Sequence, residues 1–497
     1  MCGLHDRLLA VAEAANRSPA VDAGRAGDFS YSQLFAAAEA LIPNLAGKSA
    51  VGILSNRRPE TYPAVLAAFL AGVTFVPLNP SFPPERLATI ARLAAVDLVL
   101  FDSANAELAD TLGLTAQALE DADTTIARTA APDWDALRTA LPTDDGAIAY
   151  RLFTSGSTGE PKGVPIPVGA LTHYVRHIRE TVSIPQGKRF SQLFDLSFDL
   201  SMHDIFVCFA SGGCLVPASD MNLLLPHAYA AKKRIEVWFS VPMLAMTAAR
   251  GLATAGKEPE HRIALAQFCG EPLPIDYVRG FRALMQPGAP VWNLYGPTEA
   301  TIAFTAQRMD GSEEGNAIAT LGEPFGANAL ALLADDGSIG PLREGARGEL
   351  LLGGPQVFGG YAPARHDPFV AGEDGARWYR SGDSVAMQDG KLHHRGRIDS
   401  QVKLRGHRIE LAEIESAFRN RMGCEAAAAI VHGEADAAEI RVAYEAGADI
   451  EDLTPVAAAL PGYMVPARTL RLDALPLNAN GKVDRRRLAE MTWPDAA

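Results

Sequence analysis

Four hydroxyl-bearing residues alternate in pairs with glycines in one short stretch of the sequence, and a lysine follows them. The stretch reads LFTSGSTGEPKG over residues 152–163. Backbone N–H groups and hydroxyls of such a loop can surround phosphate oxygens, and Lys162 adds a positive charge. The spacing is neither a Walker A loop nor a GxGxxG loop. An ordinary surface turn has no need of this alternation, so the stretch predicts an anion-binding loop.

Five further motifs follow this loop along the chain. They are NLYGPTE at 293–299, GEL at 348–350, YRSGD at 379–383, GRID through RGHRIE at 396–410 and LNANGK at 477–482. In this order the six motifs resemble those of the acyl-adenylate-forming superfamily, which includes acyl-CoA synthetases, luciferases and nonribosomal peptide synthetase adenylation domains. The similarity extends from about residue 75 almost to the C-terminus, and six ordered motifs are a specific signal where one alone is weak.

The resemblance implies that a carboxylate attacks the α-phosphate of ATP and expels pyrophosphate. Catalysis of such a step is mainly positioning and electrostatic stabilisation. Glu299 would hold Mg²⁺, because a carboxylate can face a triphosphate only with a hard cation between them, and Thr298 would touch the α-phosphate. Asp383 would accept hydrogen bonds from the ribose, with Arg397 assisting. The less specific alternatives are a solvent-facing Glu299 and a surface Asp383–Arg397 ion pair.

The same resemblance assigns the remaining contacts with ATP. The phosphate contacts fall to Thr154, Ser155, Gly156, Ser157, Thr158, Gly159 and Lys162, and the stretches that enclose adenine contain Gly270, Glu271 and Tyr295.

Lys482 is the predicted catalytic residue of the first half-reaction. A lysine beside an Asn-Gly turn is normally a solvated surface charge, but in this family's C-terminal motif it bridges the substrate carboxylate and the phosphate. Because Lys482 and the ATP site lie in different domains, the resemblance implies domain closure, with Asp399 at the hinge. Rotation would then withdraw Lys482 and bring the Gly406 loop to the site, where a phosphopantetheine thiol attacks the mixed anhydride.

Asp199 indicates that the carboxylate belongs to an amino acid. Adenylation domains for α-amino acids carry an aspartate in this FDLS context, and it pairs with the substrate ammonium. The duplicated FDLSFDLS leaves Asp195 as an alternative, but Asp204 fixes the register on Asp199. A helix N-cap is the structural alternative for Asp199.

The alignment that places Asp199 also predicts the rest of the amino-acid pocket. Its lining is predicted to be Asp199, Leu200, His203, Phe239, Ala266, Phe268, Leu294, Ile302 and Ala303, with Cys269 beside them. Two phenylalanines and a leucine favour a small neutral substrate. The local pattern is most similar to stand-alone D-alanine–carrier protein ligases, whose cysteine helps to shape the alanine site.

Cys269 matches those ligases but could equally be a small buried thiol. Two other pocket residues depart from their pattern: His203 stands where an apolar residue is expected, and Leu294 stands where a small hydroxyl residue is expected. His203 is either a packed neutral imidazole or a contact for a hydroxyl or second functional group of the substrate. D-alanine, L-proline, glycine, serine and unusual amino acids all stay open, as does chirality.

Alternating strand-like and helix-like runs must position these residues. The strand-like runs SAVGILS and VTFVPL alternate with the helix-like runs PAVLAAFLAG and PERLATIARLAAV. This order is typical of an α/β protein whose parallel strands are buried on both faces. Residues 310–396 predict a β-rich subdomain. Residues 398–497 predict a small, mobile α+β domain, in which Leu411, Ile414, Phe418 and Met422 share one helical face. Residues 1–397 then form the large N-terminal adenylate-forming domain.

Composition excludes several classes of protein. Of the 497 residues, 48% are hydrophobic and 21% charged, as in a large globular core, and the net charge of -14 argues against nucleic-acid binding. The five cysteines have no CxxC spacing, which predicts reduced thiols in the cytoplasm. We expect no signal peptide and no membrane span.

Two other functions remain as alternatives. An acyl-CoA synthetase for a non-amino acid shares ATP, Mg²⁺ and the fold but has no need of Asp199. A non-catalytic adenylate-binding module would have no reason to retain Lys482. Only eleven residues follow Arg486, too few for a carrier domain. The expected acceptor is therefore a separate phosphopantetheinylated carrier protein, with free CoA as the less favoured alternative.

Overall fold

Two large mixed sheets, an antiparallel sheet and a smaller α+β region make up the protein. The computed structural model describes residues 3–128, 130–154, 160–256, 258–311, 318–364, 367–373, 375–399, 401–433, 437–450, 452–477 and 483–494. The predicted fold class, α/β with a β-rich subdomain and a small C-terminal α+β region, is confirmed.

The first large sheet has six strands, and most of them are parallel. In spatial order they are Ala116–Ala118, Leu98–Phe101, Ala50–Leu54, Thr74–Pro77, Ile148–Thr154 and Lys162–Pro167. The last two pair antiparallel and flank the predicted anion-binding loop. All five residues of the Ala50–Leu54 strand are buried, as expected for a parallel strand covered on both faces.

The second large sheet has nine strands. In spatial order they are Glu323–Pro324, Thr305–Met309, Val291–Tyr295, Leu265–Phe268, Val237–Ser240, Arg189–Gln192, Cys214–Pro217, Pro19–Asp22 and Asp28–Ser30. The six strands from Val291–Tyr295 to Pro19–Asp22 run parallel. The carboxyl ends of these strands therefore lie at one edge.

The antiparallel sheet corresponds to the predicted β-rich subdomain. Its strands are Ala329–Leu333, Ile339–Gly340, Arg347–Gly353, Phe369–Ala371, Arg377–Gln388 and Lys391–Arg397. After Arg397 the chain forms the hairpin Gln401–Leu404 and His407–Glu410, and then a three-stranded sheet of Ala426–His432, Glu439–Glu445 and Arg468–Arg471.

Helices cover the faces of these sheets. In the larger part they are Leu4–Ala14, Tyr31–Leu45, Thr61–Leu70, Pro84–Ala94, Ala106–Thr111, Ala122–Ala127, Trp134–Thr139, Val168–Val182, Leu200–Met202, Cys208–Ala210, Asp220–Leu224, Pro226–Lys232, Pro242–Ala255 and Ile275–Phe281. A π-helical turn, His203–Val207, joins the two short helices on either side of it. No helix within the described ranges is long and apolar enough to cross a membrane.

The C-terminal region has its own core. Its helices are Leu411–Met422, Thr454–Ala457 and Arg485–Glu490. On the first of them Leu411, Ile414 and Phe418 are buried, as their spacing predicts, and they join a cluster with the three-stranded sheet. Met422 lies partly buried at the edge of that cluster.

Candidate active site

Predicted site residues lie at one edge of the nine-stranded sheet. Loops leave the carboxyl ends of three parallel strands there and carry Asp199, Cys269, Gly270 and Thr298. In open α/β sheets, ligands bind outside the carboxyl ends of the strands. The sheet therefore brings together residues that are up to a hundred positions apart in the sequence.

Asp383 lies at the centre of a hydrogen-bonded group. Tyr295 Oη donates to its Oδ2 at 2.6 Å, and Arg397 Nη1 donates to its Oδ1 at 3.0 Å. His394 Nε2 lies 3.1 Å from the same Oδ1. Burial opposes ionisation, but the hydrogen bond from His394 and the charge of Arg397 hold the pKa of Asp383 well below its usual range. Asp383 is thus a fixed anionic acceptor.

Sequence reasoning identified Asp383, Tyr295 and Arg397 but missed His394. His394 belongs to none of the six motifs, and only the pairing of its strand with the strand of Asp383 brings the two together.

A cavity of about 360 Å³ opens beside Asp383. It is lined by Gly270, Glu271, Leu273, Leu294, Tyr295, Ile318, Asp383, His394, Arg397, Val402 and Lys403, among others. Gly270 has φ +96°, a conformation that L side chains rarely adopt. Apolar walls with a few fixed polar groups are typical of small-molecule sites, and the predicted adenine and ribose residues share this one.

Asp199 lies at the neighbouring end of the site and is only 8% exposed. Burial raises the pKa of its carboxyl to about 6, although a hydrogen bond with the Thr298 side chain opposes the rise. The Asp199 side chain accepts no capping hydrogen bond from the helix that begins at Leu200. The N-cap alternative therefore does not explain this aspartate.

Asp195, the alternative anchor, is already engaged with its own loop. Its Oδ1 accepts hydrogen bonds from the Ser197 backbone N–H, at 2.9 Å, and from the Ser197 hydroxyl. This is an Asx-type turn, a structural role for an aspartate. Asp199, in contrast, lines a small cavity of about 60 Å³ together with Asp383 and Arg397.

The pocket prediction needs one correction on the strand Leu265–Phe268. Phe268 was predicted to line the amino-acid pocket, but it packs on the opposite face of the sheet, edge-to-face with Phe281 at 5.3 Å. Because side chains alternate along a strand, Ala266 shares the face of Phe268. Gln267 and Cys269 face the site instead.

Gln267 therefore lies on the side of this strand that faces the site, where sequence reasoning placed Ala266 and Phe268. The signal was present in the sequence, since Gln267 stands two positions before Cys269. The alignment gave the right strand but the wrong alternation.

His203 packs deep in the pocket as a neutral imidazole. Burial lowers its pKa to about 3. Its ring centroid lies 4.0 Å from that of Phe239, and its Nδ1 lies 2.7 Å from Tyr174 Oη. Phe239 thus packs against His203, and His203 matches the packed alternative.

The other predicted pocket residues are also buried. Cys269 and Leu200 line the 60 Å³ cavity, and burial raises the pKa of the Cys269 thiol to about 12. Leu294 lines the larger cavity. Ile302 is fully buried and has φ +71°, next to Thr301 at φ +58°. Ala303, also fully buried, follows directly in the chain.

Glu299, the predicted Mg²⁺ ligand, is fully buried. Its Oε1 accepts a hydrogen bond from Tyr361 Oη at 2.8 Å, and its Oε2 pairs with Arg408 Nη1 at 2.7 Å. Burial opposes its ionisation, but the charge of Arg408 lowers its pKa. An ionised carboxylate suits Mg²⁺, although in this arrangement Arg408 takes the place that a cation would occupy.

Among the described residues, no group of three or more His, Cys, Asp or Glu side chains is placed to hold an ion. Mg²⁺ characteristically binds one or two carboxylates and completes its shell with phosphate oxygens and water.

The anion-binding loop is described only at its ends. Thr154 closes one strand and Lys162 opens the next, so the two strands hold the ends of the loop side by side. Lys162 Nζ lies 3.3 Å from Glu410 Oε1, and both side chains are buried. The predicted phosphate-binding residues Ser155, Gly156, Ser157, Thr158 and Gly159 lie outside the described residues, as does the predicted catalytic Lys482.

The Gly406 loop reaches the site from the C-terminal region. The Gly406 N–H donates to Glu271 Oε1 at 2.6 Å. Gly406 has φ +83°, and an added Cβ would lie 2.8 Å from Val241 Cγ1, so this close approach requires glycine. A second cavity of about 280 Å³ passes beside Gly406 and His407.

Asp399, the predicted hinge, is held next to the site by Arg397. Arg397 donates from Nε and Nη2 to the two carboxylate oxygens of Asp399, at 2.8 and 2.6 Å. The residue thus lies directly between the antiparallel sheet and the C-terminal hairpin.

Comparison with known proteins identifies relatives over most of the chain. The family model described as AMP-binding enzyme matches residues 9–362. An L-proline–[L-prolyl-carrier protein] ligase of Streptomyces coelicolor is 35% identical over 465 residues, which cover 88% of this chain and 86% of that protein. The phosphinothricin tripeptide synthetase PhsC of Streptomyces viridochromogenes is 34% identical, and the match covers 98% of this chain but only 45% of that protein.

A solved structure is similar over the whole fold. The adenylation domain AlmE of Vibrio cholerae, in complex with glycyl-adenosine-5'-phosphate, superposes with a TM-score of 0.87. It is 28% identical in sequence, and the match covers 99% of this chain and 97% of that one.

Proposed function

The chain belongs to the AMP-binding enzyme family, and from this premise we propose that it is an AMP-forming amino acid ligase. It activates a small amino acid as the aminoacyl-adenylate, releases pyrophosphate and passes the aminoacyl group to the phosphopantetheine thiol of a separate carrier protein. A carrier-protein ligase and an aminoacyl-adenylate-bound domain among its relatives support this reaction.

One observation carries the proposal. The 60 Å³ cavity is lined by Asp199 together with Asp383 and Arg397. The buried Asp199 carboxylate suits a substrate ammonium, and the fixed anionic acceptor Asp383 suits ribose hydroxyls. A small amino acid joined to AMP carries both an ammonium and ribose hydroxyls, so one such molecule can pair with both carboxylates.

The large part of the protein, residues 1–397, binds and orients ATP. We assign adenine to the 360 Å³ cavity beside Gly270, Glu271 and Tyr295, and ribose to Asp383 with Arg397. Thr298 and Lys162, with the loop between Thr154 and Lys162, bind the phosphates. Mg²⁺ held by Glu299 would neutralise the charge that develops on the phosphate oxygens.

Each half-reaction uses a different part of the C-terminal region. Lys482 bridges the amino acid carboxylate and the α-phosphate during adenylation. The Gly406 loop replaces it for the second step, and the 280 Å³ cavity beside Gly406 and His407 gives the pantetheine arm a route to the adenylate. Residues 398–497 then move as one domain about Asp399 against residues 1–397.

The cytoplasm is the proposed location. Cys208, Cys214, Cys269 and Cys424 are free and buried, which suits a compartment where thiols stay reduced.

ATP–pyrophosphate exchange against a panel of D- and L-amino acids tests this function. Replacing Asp199 by Asn removes the charge that pairs with the ammonium and should lower kcat/KM for the amino acid roughly 10- to 100-fold. Asp195→Asn is the matched control and should stay within about threefold, since an amide still accepts the Asx-turn hydrogen bonds.

Two results would contradict the proposal. Exchange that depends on a carboxylic acid without an amino group, and that survives Asp199→Asn, would indicate an acyl-CoA synthetase. Absence of exchange with every carboxylic acid, together with adenylate binding that Lys482→Ala leaves unchanged, would indicate a non-catalytic adenylate-binding module.

A further inference from the structure

Gln267 and His203 are buried close in sequence to Cys269 and Asp199, which the proposed function places next to the amino acid. Gln267 is two positions before Cys269 on one strand, so both side chains leave the same face. His203 is four positions after Asp199 in a helical segment, so these two also share a face. Both deeper residues are almost completely buried, with Gln267 at 0% and His203 at 1% exposure.

The side-chain oxygen of Gln267 has no partner. Gln267 Nε2 lies 3.4 Å from His203 Nε2, and His203 Nδ1 lies 2.7 Å from Tyr174 Oη. The amide nitrogen and both imidazole nitrogens are therefore engaged. Gln267 Oε1 finds no hydrogen-bond partner among the residues that the structure describes. A buried acceptor in this state destabilises a fold unless a ligand or water donates to it.

Turning the amide does not remove the problem. If Oε1 faced His203, the neutral imidazole could donate to it from Nε2, and the amide NH₂ would then take the position of the unpaired oxygen. A polar end of Gln267 occupies that position in either orientation, as an acceptor or as a donor.

The residues packed near His203 are apolar. Phe239 packs against the His203 ring at a tilt of 39°, and Leu200, Leu294 and Ile302 belong to the same buried hydrophobic cluster as Phe239. A single fixed polar group within apolar walls selects ligands strongly, because a ligand without the matching group leaves it unpaired.

We propose that the activated amino acid has a short side chain with a neutral hydrogen-bonding group, a hydroxyl or an amide, that pairs with the free end of the Gln267 amide. A hydroxyl or an amide can both donate and accept, so it fits either orientation of Gln267. This inference rests on the proposed function and narrows its substrate class. It separates this chain from its relatives named for proline and glycine, because the side chains of proline and glycine carry no such group.

ATP–pyrophosphate exchange with near-isosteric pairs of amino acids tests the inference. The pairs are serine with 2-aminobutyrate, threonine with valine, and asparagine with leucine, each as D and L forms, alongside glycine, alanine and proline. The wild-type enzyme should favour the polar member of its best pair by at least about tenfold in kcat/KM. The wild-type panel decides this point even if a variant fails to fold.

Gln267→Leu replaces the amide with an apolar side chain of similar volume. It should bring the ratio of kcat/KM for the polar member of the pair to that for the apolar member close to one. Gln307→Leu is the same change two strands away, where the side chain bonds the Arg308 carbonyl, and it should leave the ratio unchanged. Preference for the apolar member, proline, glycine or alanine would overturn the inference, and so would a polar preference that survives Gln267→Leu. If amino acids support no exchange while another carboxylic acid does, the proposed function itself is wrong.

Discussion

The Asp199 carboxyl changes its charge within an accessible pH range. Burial raises its pKa to about 6 in the free protein. Below that pH the carboxyl is protonated and has no charge to pair with the substrate ammonium, and above it the carboxylate is present. We therefore expect kcat/KM for the amino acid to fall about tenfold per pH unit below 6 and to level off above it, because kcat/KM reports ionisations of the free enzyme.

Pyrophosphate exchange measured from pH 5 to 8 checks this expectation. The residual activity of Asp199→Asn should lack the acidic limb, because an amide does not titrate. A flat profile in the wild-type enzyme, or the same limb in Asp199→Asn, would assign the ionisation to another group.

At the residue scale, motif identity predicted the polar groups well and the pocket walls less well. Asp383, Tyr295 and Arg397 belong to ordered motifs and meet as expected. The prediction that Phe268 lines the pocket was wrong because a one-position error along a strand moves a side chain to the other face of the sheet. A motif identifies which residues of a strand face the site only where it contains a polar residue that marks that face.

Gln356 shows how one side chain supports a whole pocket element. It is fully buried, and its Nε2 donates to the carbonyls of Ala300 and Thr301 at 3.2 Å and of Ala303 at 2.7 Å. This segment includes two consecutive non-glycine residues with positive φ, Thr301 and Ile302. Such a backbone persists only when its surroundings hold it in place.

Replacing Gln356 by Leu should loosen this segment. We expect the free energy of unfolding to fall by about 2–4 kcal/mol, because several buried carbonyls lose their donor. KM for the amino acid should rise more than KM for ATP, since Ile302 borders the amino-acid pocket while the Asp383 group is untouched. Chemical denaturation and exchange kinetics measure the two effects.

The control for this change is Gln388→Leu, on the exposed end of the strand Arg377–Gln388. It should change stability by less than about 0.5 kcal/mol. If Gln356→Leu raised KM for the amino acid and KM for ATP equally, or left stability unchanged, residues 300–303 would keep their conformation without Gln356.

At the element scale, periodicity alone predicted most of the architecture. The predicted apolar runs form strands, and the predicted apolar face of Leu411, Ile414 and Phe418 is the buried side of a helix. The hydrogen bonds of Gln356 to a segment some 55 positions away could not be predicted, because they depend on how two sheets meet.

At the scale of the whole molecule, buried ion pairs join the C-terminal region to the large part. Arg408 and Glu410 on the strand His407–Glu410 pair with Glu299 and Lys162 respectively. Glu413 on the following helix pairs with Arg86. In the proposed adenylation step, Glu299 and Lys162 hold the metal and the phosphates. They cannot serve both partners at once, so the described arrangement, with Gly406 at the site, suits thiol transfer rather than adenylation.

Glu413 offers the cleanest test of this assignment, because it contacts the large part without belonging to the ATP site. Its Oε1 lies 2.6 Å from Arg86 Nη1, and the side chains are 1% and 6% exposed. Glu413→Gln removes a buried charge partner and should destabilise this arrangement by about 2 kcal/mol. Transfer to the carrier thiol should then slow by about 30-fold, while pyrophosphate exchange stays within about twofold.

Glu85→Gln is the matched control, since Glu85 joins the same two helices through an exposed pair with Arg421. Exposed pairs contribute little, so both half-reactions should stay within about twofold of wild type. Quench-flow loading of a carrier protein measures the transfer step, and exchange measures the first. A parallel loss of both half-reactions in Glu413→Gln would mean that one arrangement serves both steps, because only a contact specific to transfer can slow transfer alone.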